Sequence, residues 1–132
     1  MKETKYKELM KVAKEAAGNF YAPYSGFAVG SAVLSSNGKV YTGANVENAS
    51  YGLTNCAERS ALFNAFSHGE RKIEAVAVWT EKSETFPCGA CRQVISELAP
   101  HADIVINGRE DELIILRVSD LLPFAFGKHN LK

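Results

Sequence analysis

Three cysteines and one glutamate are the residues through which this chain could do chemistry. Cys88 and Cys91 stand three residues apart in Pro87-Cys88-Gly89-Ala90-Cys91-Arg92. In the first turn of a helix that spacing puts both sulfurs on one face. Cys56 lies in Thr54-Asn55-Cys56-Ala57-Glu58-Arg59 and must reach them from elsewhere in the fold. Three thiolates fall one short of a closed structural zinc site, and a catalytic zinc keeps its fourth position for water or substrate. Glu58, two residues past Cys56, is placed to reach a water held there.

Each of these residues has a plainer reading. Cys88-x-x-Cys91 alone serves equally as half a structural zinc knuckle or as a redox pair. Cys56 alone reads as a small buried hydrophobe. Glu58 alone reads as a helix glutamate favoured by the N-terminal dipole. Taken together they suit metal chemistry. Thiolates at helix N-termini are stabilised by the dipole and the free N–H groups. Three thiolates around a dipositive ion leave one excess negative charge. Arg59 and Arg92 are the candidates to donate to the sulfurs and offset it. A glutamate beside metal-activated water can take its proton and deliver it to a substrate atom, which is worth about 10²–10⁴ in rate.

The elements that must position these residues follow from periodicity and punctuation. Tyr6, Leu9, Met10, Val12, Ala13, Ala16 and Ala17 recur at helical spacing among lysines and glutamates, which predicts an amphipathic helix closed near Gly18 and Asn19. Phe20 to Gly26 is aromatic and rich in breakers; it reads as a loop whose rings are expected to be packed. Phe27–Leu34 and Lys39–Gly43 read as strands joined by Ser35-Ser36-Asn37-Gly38, a hairpin signal. A polar loop over Asn45–Asn55 leads into a helix from near Cys56 to about His68, stopped at Gly69. Ile73–Thr80 is a nearly continuous apolar run, suited to a central strand covered on both faces. Cys88–Leu98 is helical, ended by Pro100. Ala102–Ile106 and Glu112–Val118 are strands, with a turn at Asn107-Gly108-Arg109. Ser119 is the expected cap of a short helix over Asp120–Leu122.

The order is therefore α-β-β-α-β-α-β-β-α, with no linker or repeat dividing it. It predicts an α/β fold: a single domain over residues 1–132, with one five-stranded mixed sheet sandwiched by helices. A cysteine-bearing helix N-terminus occurs twice. If both helices start at the same sheet edge their first turns converge, where ligand sites fall in such sheets.

Composition narrows the classes. The chain has 132 residues, 46% hydrophobic and 23% charged, which is ordinary for a globular domain. Its 15 basic and 15 acidic residues cancel, which argues against a broad nucleic-acid footprint. No apolar run is long enough to span a membrane. The lysine-rich start has no apolar core of a secretory signal, and the odd cysteine count suits a reducing compartment, so a cytoplasmic location is expected. Asn48-Ala49-Ser50 matches a glycosylation acceptor by chance on that reading.

Asn55-Cys56-Ala57-Glu58-Arg59 and Pro87-Cys88-Gly89-Ala90-Cys91-Arg92-Gln93 resemble the two zinc motifs of the cytidine deaminases, in which the glutamate is acid/base and not a ligand. Ala22-Pro23-Tyr24-Ser25-Gly26-Phe27, Gly43-Ala44-Asn45-Val46-Glu47-Asn48-Ala49, and Leu121-Leu122-Pro123 with Phe126 extend the resemblance to the small homotetrameric enzymes of nucleoside salvage. It covers about Ala16 to Gly127.

The resemblance implies a cytidine deaminase-like fold and one zinc ion per subunit on Cys56, Cys88 and Cys91, with Glu58 moving protons and Arg59 supporting the sulfurs. It implies that the Ala57 N–H faces the pyrimidine carbonyl and that Asn45 and Glu47 hold the sugar hydroxyl at C3′. Phe27 would stack on the base, and Tyr51 and Phe126 would line a site shared between subunits. The implied reaction turns cytidine and deoxycytidine into uridine and deoxyuridine. A deaminase of antibiotic nucleosides or of nucleic acids is the alternative. Without the resemblance, Phe27 reads as core, and Asn45 and Glu47 as loop caps.

Overall fold

The computed structural model describes residues 2–131. Helix α1 spans Lys2–Ala16 and is followed by a short 3-10 turn over Ala17–Asn19. Strands β1 (Val29–Ser35) and β2 (Val40–Ala44) form the hairpin, with Gly38 at φ 91° in its turn. Then come α2 (Ala57–Ser67), β3 (Ile73–Thr80), α3 (Gly89–Leu98), β4 (Asp103–Asn107), β5 (Leu113–Arg117) and α4 (Val118–Leu121). The sheet order is β2-β1-β3-β4-β5. β1 is antiparallel to both neighbours, β3 and β4 are parallel, and β4 and β5 antiparallel. The five-stranded mixed sheet and the element order are those the sequence predicts.

The sheet is covered on both faces, as the unbroken apolar run of β3 requires. On one face Tyr6, Leu9, Met10 and Ala13 of α1 pack against Ala32, Leu34, Ala75, Ala77 and Val105. On the other, Ala61, Leu62 and Ala65 of α2 and Ile95 of α3 pack against Val33, Val76, Val78, Ile104 and Ile106. Two glycines let the helices come close. A Cβ on Gly30 would meet Ala17 N at 2.6 Å, and one on Gly43 would meet Ser60 Cβ at 2.7 Å and Ala57 O at 2.8 Å. The small residues Ala57, Ser60 and Ala61 thus lie almost on the backbone of β2, and this sets the height of the α2 N-terminus above the sheet.

Three expectations are corrected. β1 begins at Val29, so Phe27 lies on the approach to the strand. The rings of the Phe20–Gly26 loop are not packed: Phe20, Tyr21 and Tyr24 are all exposed. That loop is held by polar bonds, with Tyr21 N–H donating to Asn45 O at 2.9 Å and Tyr24 N–H to Glu47 Oε1 at 3.0 Å, and needs no ring burial to stay in place. Ser119 does not cap the last helix. α4 starts at Val118, and Asp120 accepts the Arg117 N–H at 3.0 Å from inside the turn.

Candidate active site

Two helix N-termini meet at the end of β3. Cys56 is the N-cap of α2 and Cys88 the N-cap of α3, both in extended backbone. Cys91 lies three residues on, buried inside the first turn of α3. The parallel β3–α3–β4 unit puts the α3 N-terminus past the carboxyl end of β3, where Val78 and Thr80 form part of the cavity floor. α2 packs beside α3, so its own N-terminus arrives at the same place.

The three sulfurs lie within 4.8 Å of one another, and Cys56 Sγ is 3.9 Å from Cys88 Sγ. Tetrahedral sulfurs on zinc stand about 3.8 Å apart, so the donor set fits one such ion with a position left over. A hydrogen bond from the Cys91 thiol, outweighing burial and joined by the Arg59 guanidinium, draws the Cys56 thiol down to about 5. The same bond, with burial and the Glu58 carboxylate, holds the Cys91 thiol far above its ordinary value. The bare cluster therefore does not carry a thiolate on every sulfur at neutral pH. Taking up a cation must release protons from it.

The two arginines part company. Arg59 Nη2 donates to Cys56 Sγ at 3.5 Å and to Thr54 O at 3.3 Å. Its Nε is buried and has no partner among the described residues. Arg92 makes no bond to sulfur. Its Nε donates to Pro87 O at 2.7 Å and its Nη1 to Leu121 O at 3.0 Å, bracing the start of α3 against the end of α4.

Glu58 is 4% exposed, at the head of α2. Burial, partly offset by its own backbone N–H and reinforced by the Cys56 charge, pushes its carboxyl up to about 7. A carboxyl poised there can both accept and donate a proton near neutrality, the property a proton shuttle needs.

A cavity of about 240 Å³ opens over these groups. Glu58, Ala57, Cys56 and Cys88 line one end, and Phe27, Asn45 and Glu47 also line it. A second, shallower cavity of about 400 Å³ shares Ser25, Glu47 and Thr54 with the first and adds Tyr24 and Tyr51. Asn45 and Glu47 brace backbone as well as facing the cavity. Asn45 Oδ1 accepts the Val29 N–H at 2.9 Å and its Nδ2 donates to Phe27 O at 2.7 Å. Glu47 accepts the Tyr24 and Ser25 N–H groups and the Ser25 hydroxyl, and these bonds lower its carboxyl pKa. A carboxylate has about four lone-pair sites, so these bonds leave Glu47 capacity for a further donor.

Phe126 stands apart. It lines a different cavity beside α3 with Ser96, Glu97 and Pro100, and its carbonyl accepts from Gln93 Nε2 at 2.9 Å. Sequence reasoning missed Ser25, Thr54, Thr85 and Phe86, which line the first cavity. Phe86 carries a signal in retrospect: it is a large apolar residue in an otherwise polar connection, directly before Pro87-Cys88.

This is an α/β sandwich with a zinc-fitting thiol cluster on two helix N-termini, the architecture of a hydrolytic deaminase site. The family model described as the cytidine and deoxycytidylate deaminase zinc-binding region matches residues 3–107. The chain is 50% identical over 120 residues to the cytidine deaminase of Halalkalibacterium halodurans, covering 89% of this chain and 91% of that one. It is 43% identical over 120 residues to the cytidine deaminase of Mycobacterium tuberculosis, covering 90% and 87%. The crystal structure of cytidine deaminase from Burkholderia pseudomallei superposes with a TM-score of 0.86 at 48% identity, over 90% of this chain and 97% of that chain. The chain belongs to the cytidine and deoxycytidylate deaminase family.

Proposed function

We propose that this chain hydrolyses the exocyclic amine of cytidine and 2′-deoxycytidine, consuming water and leaving uridine or 2′-deoxyuridine plus ammonia, as a step of pyrimidine salvage. The observation that carries the reading is the burial of Glu58 beside three convergent sulfurs at one end of a cavity. The relatives bear the name cytidine deaminase at up to 50% identity. Zinc held by Cys56, Cys88 and Cys91 would act as a Lewis acid that makes water nucleophilic near neutral pH.

Glu58 takes one proton of the attacking water and passes it to the ring nitrogen, then takes the remaining proton of the added hydroxyl and delivers it to the amine, which leaves as ammonia. Its burial keeps bulk water from competing for that proton. The Ala57 N–H lies at the first residue of α2, where a helix leaves N–H groups without an intrahelical partner and the dipole favours an approaching carbonyl oxygen. Phe27 offers a face to the pyrimidine. Asn45 and Glu47 meet the sugar hydroxyl with the hydrogen-bonding capacity that their backbone contacts leave over, and a ligand without that hydroxyl forfeits those bonds.

The working form is a cytoplasmic homotetramer with sites shared between subunits. Tyr51 is 75% exposed at the open end of the cavities, and Phe126 is 60% exposed and far from its own chain's cavity. Exposed rings of this kind, with Tyr24 edge-on to Tyr51 at 5.9 Å between ring centroids, suit a covered face. No described helix is long and apolar enough to cross a membrane.

Ultraviolet absorbance of cytidine, followed with purified protein before and after zinc is stripped, tests the reaction. Glu58→Gln should keep the fold and the metal and lose at least about 10²–10⁴ in kcat. Full turnover by that variant would sink the proposal. Sedimentation at working concentration tests the assembly, and a monomer with full activity would refute the shared site.

A further inference from the structure

The cavity has a wall to which the reaction above gives no task. Residues Glu81–Pro87 join β3 to α3, and Thr85 and Phe86 line the cavity together with Cys88. Phe86 is 44% exposed. It stands two residues before Cys88, so its Cα lies within about 7.6 Å of that of Cys88. Its backbone is therefore at the sulfur end, and the residue lines the cavity beside Cys88. The other end, marked by Ser25 and Glu47, opens toward Tyr51, and Phe86 takes no part in that opening.

The connection is tied down. The Asn107 side chain, nearly buried, accepts the Thr80 N–H at 3.1 Å and donates to Thr80 O at 2.9 Å. Its carbonyl accepts the Glu84 N–H at 2.8 Å. Glu84 sits in the left-handed region at φ 63°, costly for a residue with a Cβ, and Arg109 Nε meets its carboxylate at 3.1 Å. The Thr80 and Thr85 hydroxyls both donate to Lys82 O. Glu81 accepts the Ala28 N–H at 2.8 Å, fixing the connection to the segment that carries Phe27. These bonds fix the backbone from which the Phe86 ring projects.

We propose that Phe86 is a specificity-determining residue whose ring limits the size of groups on the amine-bearing end of the pyrimidine, on the exocyclic nitrogen or on the adjacent ring carbon. The proposal rests on the reading that the amine enters at the sulfur end. Sugar contacts select the nucleoside at one end, and Phe86 selects an unsubstituted amine at the other. Asn107 acts through the loop, as a positioning residue for that wall.

The test uses zinc-loaded protein with cytidine and N4-methylcytidine, whose hydrolysis gives uridine and methylamine. One methylene against an apolar wall is worth about 10–200-fold in discrimination. Phe86→Ala should raise the ratio of kcat/KM for N4-methylcytidine over cytidine by about tenfold or more. Phe86→Leu, which keeps most of the volume, should stay near the wild-type ratio. Asn107→Ala should raise the ratio part of the way, with its effect in KM more than in kcat.

Calorimetric binding of uridine and 5-ethyluridine gives a readout without turnover, and Phe86→Ala should gain affinity for the bulkier ligand relative to uridine. An unchanged ratio and unchanged relative affinity in Phe86→Ala, with normal zinc content and melting temperature, overturn the proposal. So does a change that appears only when the assembly dissociates. Wild-type protein that binds uridine but turns over neither substrate would refute the deaminase reading, while the binding comparison would still decide the role of Phe86.

Discussion

Substituting Gly43 by alanine should damage the site from the far side of helix α2. The new methyl would meet Ser60 Cβ at 2.7 Å and Ala57 O at 2.8 Å. Both contacts are roughly 1 Å inside nonbonded carbon separation. Backbone cannot rotate away as a flexible side chain can, so α2 must lift from the sheet. Overpacking of this kind costs about 1–3 kcal/mol, with the backbone clash placing it at the upper end. For a domain of this size that lowers the melting temperature by roughly 4 °C per kcal/mol. Gly30→Ala is the control. Its methyl would strike the Ala13 carbonyl oxygen of α1 and, at 2.6 Å, Ala17 N, on the opposite face of the sheet, and should cost at least as much stability. The two should differ in function. The first turn of α2 carries Ala57 and Glu58 and follows Cys56, whereas α1 holds none of these groups. A misplacement of about 1 Å can cost 10²-fold in rate. Gly43→Ala should therefore lose zinc affinity and turnover, and Gly30→Ala should keep both below its melting temperature. Urea denaturation, metal content after dialysis, and cytidine turnover measure the three quantities. Equal loss of turnover in both variants would show that the glycine does not set the site through the height of α2.

The remaining expectations concern charges. Arg59→Ala removes the guanidinium from Cys56 and should weaken zinc binding about 10–100-fold in a competition titration with a chromogenic chelator. Arg92→Ala instead frees Pro87 O and Leu121 O; it should cost about 1.5–3 kcal/mol in urea unfolding, with the smaller effect on zinc. Tyr6 donates to Asp103 at 2.7 Å, and Lys2 lies 3.1 Å from the same carboxylate. Burial opposes the charge on Asp103, but these two partners outweigh it and lower its pKa. The stability it contributes is present above about pH 3.9 and is lost as pH falls through the lower folded value. Burial and the same hydrogen bond raise the Tyr6 pKa, so its share is present below about pH 10 and lost as pH rises through the folded value. Asp103→Asn should flatten both limbs of melting temperature against pH, and unchanged limbs would refute the linkage.

Much of the fold was readable because burial leaves a period. The Tyr6-Leu9-Met10-Ala13 stripe and the unbroken run of β3 each record which faces are covered, and the structure has those faces in place. Asn37-Gly38 announced its hairpin because few residues tolerate φ near 91°. The rings of Phe20–Gly26 misled, since apolar content in a breaker-rich stretch does not say whether the covering surface belongs to the same chain. Arg59 and Arg92 looked alike beside their motifs. Only the direction of each side chain from its helix separated the arginine on sulfur from the one on carbonyl groups.

The sequence by itself determined which thiols are the candidate ligands, which acid stands beside them and which helices carry them, because residue type and local spacing are written along the chain. The convergence of Cys56 with Cys88 and Cys91 was decided only by tertiary structure, through the packing of α2 on β2 at Gly43 and the passage of β3 into α3. So was the ionisation of Glu58, which depends on its burial and on a sulfur that folding brings alongside. Distances between segments come from how surfaces pack, and a linear pattern of hydrophobicity fixes which faces meet without fixing where on those faces the contact falls.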